Sequence, residues 1–199
     1  CLVVTVDGAG NYLSGSVWLA KSGTLQRIIE IPLWDSLGFY YGKFTELLGF
    51  KRDVHEGKVL GLAARGNSEK SYHKIKDLIG VSGLKYKSVF GRRFLMKGKF
   101  ASVPAVEYLK NVIGNEKIED VAAACQRRLE EVVLEWISNV FEHVKQNYSF
   151  NGNLALTGGV FANVRLNQKI MQLPQVRNIY VHPNMGDGGL ATGAALYVY

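Results

Sequence analysis

Two glycine-rich turns near the end of the chain carry the residues best suited to chemistry. In each, a run with strand propensity meets glycines and then an amphipathic stretch: Gly158 and Gly159 lie in the first turn, and Asp187 and Gly188 in the second. Glycines let a backbone approach a ligand closely, and the helix that follows directs unpaired N–H groups at anionic oxygens. One such turn commonly only reverses the chain. Two such turns in succession favour a site that binds phosphate.

An acidic turn near the start of the chain has the same character. The apolar, β-branched run at residues 2–6 ends at Asp7, with Gly8 and Gly10 directly after it. A carboxylate here could hold a metal ion or position a water near a phosphate, and so could Asp187. Each could equally be a turn former or a helix cap. Both interpretations stay open from the residues alone.

Glu56 and Lys58 form a third candidate pair, within the stretch HEGKVLGLAARG. The surrounding small residues would allow a ligand to approach the backbone, with a charged side chain on its ribose or phosphate. A helix with a solvated Glu and Lys explains the pattern as well. The four histidines are too widely spaced to suggest a histidine-only metal site.

The order of predicted elements indicates what positions these turns. Three strands joined by tight turns predict an antiparallel meander; helices follow, and then two strand–helix units. The longest helix is predicted at about 118–146, with Cys125 on its core-facing stripe. This order predicts an α/β mixed sheet with helices on both faces, the layout of one half of the RNase H-like fold of actin and sugar kinases. We expect a single domain with an insertion at about 81–103.

Composition limits the partners. The 199 residues are 47% hydrophobic and 21% charged, with no apolar run of membrane-spanning length. The two cysteines cannot build a disulfide framework, which suits the cytoplasm. The net charge of +7 would attract phosphates, but the basic residues are scattered and we expect no nucleic-acid partner. The denser basic and aromatic cluster at 85–99 is predicted to form an exposed β-hairpin turning at Gly91.

Both ends of the sequence look like the interior of a fold. The chain begins at Cys1 directly in a strand pattern, and it ends in the apolar stretch LYVY. We therefore expect a piece of a longer protein, with part of any active site contributed from elsewhere.

Five motifs in order resemble those of the nodulation- and cephamycin-type O-carbamoyltransferases. They span most of the chain and leave mainly the 81–103 segment and the long helix without a distinctive motif. The motifs are VDGAGNY (Val6–Tyr12), SLGFYYGKFTELLGF (Ser36–Phe50), EGKVLGLAARG (Glu56–Gly66), LTGGVFANVRLN (Leu156–Asn167) and VHPNMGDGGLATGAAL (Val181–Leu196).

The resemblance implies an actin-like ATPase half-domain related to the threonylcarbamoyl-adenosine proteins. Members of the family transfer a carbamoyl group from carbamoyl-adenylate to a hydroxyl of a small-molecule acceptor. The adenylate is made from ATP and carbamoyl phosphate in an attached YrdC-like domain. The upstream half of the actin-like domain and the downstream YrdC-like domain are both expected to lie outside this chain. We therefore expect the chain alone to be inactive.

The resemblance also implies roles for individual residues, although it assigns no catalytic residue. Asp7 and Asp187 match positions that hold a divalent metal, iron or another, with further histidine ligands expected upstream. The expected nucleotide-binding residues are Gly8, Gly10, Glu56, Lys58, Gly158, Gly159, Asn163 and Gly188.

Two other functions are compatible with the predicted fold. One is a non-enzymatic nucleotide-binding module that docks RNA or a protein through the basic segment. The other is a sugar-kinase-like phosphotransferase, which would release ADP rather than AMP. The motif strings favour the carbamoyltransferase.

Overall fold

A computed structural model describes residues 1–94 and 102–198. The chain forms a five-stranded mixed sheet in the order β3-β2-β1-β6-β7, with a separate two-stranded sheet, β4-β5. The strands are β1 (Leu2–Gly10), β2 (Leu13–Lys21), β3 (Thr24–Pro32), β4 (Ile79–Ser82), β5 (Lys85–Ser88), β6 (Asn153–Thr157) and β7 (Asn178–Val181). The helices are α1 (Leu37–Leu47), α2 (Glu56–Ala63), α3 (Ser68–Ile75), α4 (Val89–Phe94), α5 (Ser102–Ile113), α6 (Ile118–Asn147), α7 (Val164–Met171) and α8 (Leu190–Val198).

The first three strands form the antiparallel part of the sheet. Two-residue turns join them, and both residues of each turn have positive φ: Asn11 and Tyr12 (49° and 63°), then Ser22 and Gly23 (50° and 74°). Turns of this kind match the right-handed twist of paired strands. The predicted end of the first strand was wrong, because β1 continues through Asp7 to Gly10.

The last two strands pair parallel to β1. Leu2 to Thr5 of β1 align with Leu154 to Thr157 of β6, and β6 aligns in parallel with β7. The carboxyl ends of β1, β6 and β7 consequently meet at one edge of the sheet. The glycine-rich turns lie at that edge.

The hydrophobic core lies between one face of the sheet and the helices. Leu2, Val4 and Val6 are buried, whereas the alternate residues Val3 and Thr5 are only partly buried. Helix α1 contacts β1, and α6 packs behind it against α1, α2 and α3. The α/β class with a mixed sheet is thus confirmed. Helix α8 contains no buried residue, and the expectation of helices on both faces stays a prediction.

Helix α6 brings Cys125 into the core, as its apolar stripe predicts. The Cys125 side chain is fully buried, and burial raises the pKa of its thiol, so the sulfur stays protonated and packs as a small apolar group. Tyr40 of α1 donates a hydrogen bond to the Cys125 carbonyl, 3.3 Å away. This bond ties α1 to α6.

The basic segment differs from the predicted hairpin. The hairpin is formed by β4 and β5 and turns at Gly83, while Gly91 lies in α4. Tyr86 is fully buried and its hydroxyl donates to the Ser14 carbonyl at 2.9 Å, so β5 is packed against β2 rather than projecting into solvent. Residues 95–101 of the predicted segment lie outside the described residues.

Across the parts of the chain that the structure describes, no helix is long and apolar enough to cross a membrane.

Asp120 anchors the start of α6 to the start of α3, and this contact should make stability depend on pH. The Asn67 N–H donates to its carboxylate at 2.7 Å and Lys70 Nζ lies 3.5 Å away. The Asn67 N–H, and then Lys70, hold the pKa of Asp120 below its usual range. Because the folded pKa is depressed, the stabilisation is present above the unfolded pKa and is lost as pH falls through the folded value.

We therefore expect Asp120→Asn to lower the free energy of unfolding at pH 7, with the difference from wild type shrinking as pH falls below about 3.9, the pKa of an unfolded Asp, and on through the lower folded pKa. Urea unfolding across this pH range measures it. The exposed Asp77→Asn is the matched control and should match wild type at both ends. A difference for Asp120→Asn that persists unchanged in acid would contradict the assignment.

Candidate functional site

Asp7 lies in an irregular part of β1. The ladder with β2 is regular up to the pair Val6 and Gly15, and it resumes only at Gly10 and Leu13. Such bulges redirect side chains and end strand pairing, often beside a functional site. The Gly8 N–H donates to Asp7 Oδ1 at 2.7 Å. The carboxylate is therefore held at the carboxyl end of the strand.

The Gly158 turn packs directly against the strand that carries Asp7. Gly158 has φ of +100°, and a Cβ added there would lie 2.2 Å from the Val6 carbonyl oxygen. Only glycine fits this conformation and this spacing. A Cβ on Gly159 would lie 3.1 Å from Asp7 Oδ1, so the carboxylate lies beside the turn. A short 3-10 turn, Gly159–Ala162, follows and leads into α7.

The loop that carries Asp187 is attached to the Gly158 turn through its backbone. The Gly158 N–H donates to the Met185 carbonyl at 2.7 Å, and Thr157 Oγ1 donates to the same oxygen at 3.0 Å. The exposed Asp187 follows two residues later and begins a 3-10 turn, Asp187–Gly189. The structure thus brings Asp7, the Gly158 turn and the Asp187 turn to one edge of the sheet.

Asn184 orders the loop that carries Asp187. Its backbone N–H lies 3.1 Å from His182 Nδ1, and its carbonyl oxygen lies 3.0 Å from the same nitrogen. A Cβ on Gly188 would lie 2.2 Å from Asn184 Nδ2. A side chain at position 188 would therefore displace the Asn184 side chain.

The start of α1 also reaches this edge, which the sequence analysis did not predict. Ser36 Oγ donates to the Asp7 carbonyl at 3.0 Å and accepts from the Phe39 N–H at 3.0 Å as the cap of α1. Gly38 approaches so closely that an added Cβ would lie 2.6 Å from the Gly8 nitrogen. The positive end of the α1 dipole is thus placed beside Asp7 and Gly8. The sequence signal that could have indicated this contact was Ser36, a serine cap at the start of a helical pattern, followed by Gly38.

The remaining predicted site residues are placed differently. Gly10 lies at the exposed hairpin end with open space around it. Glu56 begins α2, where its Oε1 accepts from the Asp53 N–H at 2.8 Å, and Lys58 Nζ lies 5.8 Å from the Phe50 ring centre. In residues 1–94 and 102–198, neither Glu56 nor Lys58 makes a hydrogen bond or ion pair to the glycine turns.

Both polar atoms of the Asn163 side chain form hydrogen bonds within the protein. Its Oδ1 accepts from the Leu166 N–H at 3.1 Å, which caps α7, and its Nδ2 donates to Gln126 Oε1 at 2.8 Å. Gln126, in the middle of α6, was not predicted as a site residue. Its contribution depends on a contact between distant parts of the chain, for which the local pattern carried no signal.

Asp7 and Asp187 have the right ligand chemistry for a divalent cation, but two carboxylates are too few to hold one. Carboxylate oxygens are ligands that hard and borderline cations prefer. Among the described residues there is no cluster of three or more His, Cys, Asp or Glu side chains that could hold a metal ion. Asp7 and Asp187 would need additional ligands.

The sequence of the whole chain matches a known family. The family model described as Carbamoyltransferase N-terminus covers residues 1–196. The chain belongs to this carbamoyltransferase family. The family-level resemblance found in the motif strings is thereby confirmed.

Relatives of this carbamoyltransferase chain include proteins from archaea and rhizobia. It is 33% identical to the uncharacterized protein MJ1058 of Methanocaldococcus jannaschii over 98% of the chain and 33% of that protein. It is 28% identical to the nodulation protein NolO of Bradyrhizobium diazoefficiens over 99% of the chain and 34% of that protein. The chain therefore spans about a third of the length of these relatives.

A solved structure shares the fold. The activator of the 2-hydroxyisocaproyl-CoA dehydratase from Clostridium difficile, with bound ADPNP, has a TM-score of 0.54 and 17% identity. The match covers 98% of the carbamoyltransferase chain and 58% of the activator. This likeness supports the actin-like ATPase fold expected from the sequence.

The close approach at Gly158 leads to a direct test of the site. We expect Gly158→Ala to lower the free energy of unfolding by at least about 2 kcal/mol, because it strains the backbone and collides with the Val6 carbonyl. Gly61→Ala is the matched control, since it lies in α2 with open space around it. It should raise stability by about 0.5–1 kcal/mol. Equal effects of the two variants in urea unfolding would contradict the geometry.

Proposed function

We propose that this chain forms the nucleotide-binding part of an ATP-dependent carbamoyltransferase. The enzyme moves a carbamoyl group from carbamoyl-adenylate to a hydroxyl of a small-molecule acceptor, as in the nodulation- and cephamycin-type enzymes. The observation that carries the proposal is the convergence of three glycine-containing turns at one sheet edge, in a chain that belongs to a carbamoyltransferase family. The resemblance to NolO supports the nodulation-type assignment.

The geometry suits the charge changes of this reaction. The acceptor oxygen forms a bond to the carbamoyl carbon, the bond from that carbon to the adenylate phosphate breaks, and AMP leaves as the acceptor loses its proton. Negative charge develops on the carbonyl oxygen and on the leaving phosphate. The N-terminus of α1 beside Gly8 and the backbone of the Gly158 turn place N–H groups where such charge can be stabilised.

A divalent cation, iron or another, would be held by Asp7 and Asp187 together with ligands from the rest of the protein. When bound, it would neutralise phosphate charge. The two carboxylates share the sheet edge at which the nucleotide is proposed to bind, which supports this placement.

The other inferred nucleotide-binding residues fall into two groups. Gly8, Gly158, Gly159 and Gly188 form the turns themselves, whereas Gly10 is at the margin of the site. Glu56 and Lys58 are proposed to line the site from α2. Glu56 and Lys58 lie on α2, which packs against α6, the helix that carries Gln126.

The proposal implies partners and a compartment. The full protein would need carbamoyl phosphate, the hydroxyl acceptor, the missing part of the actin-like domain and a YrdC-like domain. ATP and carbamoyl phosphate are cytoplasmic metabolites, which together with the low cysteine content supports a cytoplasmic location.

The full-length protein tests the proposal. Supplied with ATP, carbamoyl phosphate and a divalent metal, it should form carbamoyl-adenylate and release pyrophosphate. An added hydroxyl acceptor should then take the carbamoyl group with release of AMP, and Asp7→Asn and Asp187→Asn should each lower the rate of AMP release by about a hundredfold through loss of charge at the phosphates. Asp77→Asn, an exposed carboxylate on another part of the chain, should retain the wild-type rate. Release of ADP in place of AMP, or full activity in both site variants, would refute the proposal.

A further inference from the structure

A chain of buried polar side chains runs from the middle of α6 to the Gly158 turn. Gln126 and Glu130 are 3% and 2% exposed, one helical turn apart. Gln126 Nε2 donates to Glu130 Oε1 at 2.7 Å, and Gln126 Oε1 accepts from Asn163 Nδ2 at 2.8 Å. Buried groups of this kind are costly unless every one is paired. The pairing here is continuous.

Two basic side chains bind the carboxylate at one end of this chain. The Glu130 carboxylate accepts from Arg165 Nε at 3.0 Å and from Lys169 Nζ at 2.7 Å, and it offers Gln126 only acceptor oxygens. Gln126 must then turn its amide nitrogen toward Glu130. Its oxygen therefore faces Asn163 and the Tyr41 hydroxyl, which donates at 2.9 Å.

The chain ends at the residue that closes the turn. Asn163 Nδ2 donates to Gln126 Oε1 at 2.8 Å, and Asn163 Oδ1 accepts from Gln126 Nε2 at 3.2 Å, so the two amides pair reciprocally. The same Oδ1 caps α7 by accepting from the Leu166 N–H. The Asn163 N–H donates to the Val160 carbonyl at 3.2 Å, which completes the 3-10 turn after Gly158. The orientation of Asn163 thus fixes both the turn and the start of α7.

We propose that Gln126 is a positioning residue of the nucleotide site: with Glu130 it orients Asn163 and so holds the N–H groups of the Gly158 turn ready for phosphate. The inference rests on the proposed function, in that the ligand is the nucleotide. Gln126 does not touch the ligand. It reduces the ordering that binding would otherwise require.

Breaking the amide pair from both sides is the sharpest test. Asn163→Asp still caps α7 and still accepts from Gln126 Nε2, but it cannot donate to Gln126 Oε1. Gln126→Leu removes both bonds of the pair. If Gln126 acts through Asn163, the two substitutions disrupt the same contact and their effects on affinity do not add.

The readout is the affinity of the full-length protein for ADPNP, measured by calorimetry alongside the unfolding midpoint. We expect Asn163→Asp and Gln126→Leu each to weaken binding about tenfold, and the double variant to bind no more than about threefold more weakly than either single variant. The matched control is Gln146→Leu, at an exposed position of the same helix, and should leave affinity unchanged.

The outcomes separate the inference from the proposed function. If wild type fails to bind ADPNP, the proposed function is overturned. If wild type binds but the losses of affinity in the two single variants add to about a hundredfold in the double variant, the inference about Gln126 is overturned. A lower unfolding midpoint in Gln126→Leu with unchanged affinity would likewise overturn it, because the residue would then be purely structural.

Discussion

The contact between Gly158 and β1 is the constraint on which the rest of the site depends. Parallel pairing of β1 with β6 brings the Gly158 turn against the Val6 carbonyl, at a spacing that leaves no room for a side chain. The Gly158 N–H then binds the Met185 carbonyl, which attaches the Asp187 loop. Two backbone contacts therefore join the three turns, and the side chains at this edge take their places from them.

The core supplies the rigidity that this edge requires. Helix α1 lies on β1 and is joined to α6 by the bond from Tyr40 to the Cys125 carbonyl, while Ser36 at its start holds the Asp7 carbonyl. On its other side α6 reaches the Gly158 turn through Gln126. Helices α1 and α6 thus support the site from the β1 side and from the α7 side. Because the interior is densely packed, the positions of these helices constrain the positions of the site residues.

The sequence was sufficient for features with a local signal. The meander, the parallel strand–helix units and the convergence of Asp7 and Asp187 at one edge follow from alternation, turn glycines and the rule that parallel strands end together. The β4–β5 hairpin was misplaced because Gly91, read as a turn, is a close-packing residue against Trp34. The contacts of Ser36 and Gln126 join residues far apart in the chain, and no local pattern reports which partner such a side chain will find.

A crystal structure of the full-length protein with a non-hydrolysable ATP analogue and a divalent metal tests the central claim most directly. The account predicts nucleotide phosphates within hydrogen-bonding distance, about 3 Å, of backbone N–H groups in the Gly8 and Gly158 turns, with Asp7 and Asp187 facing the metal. A nucleotide bound on another surface, with these turns unchanged and distant from it, would contradict the account.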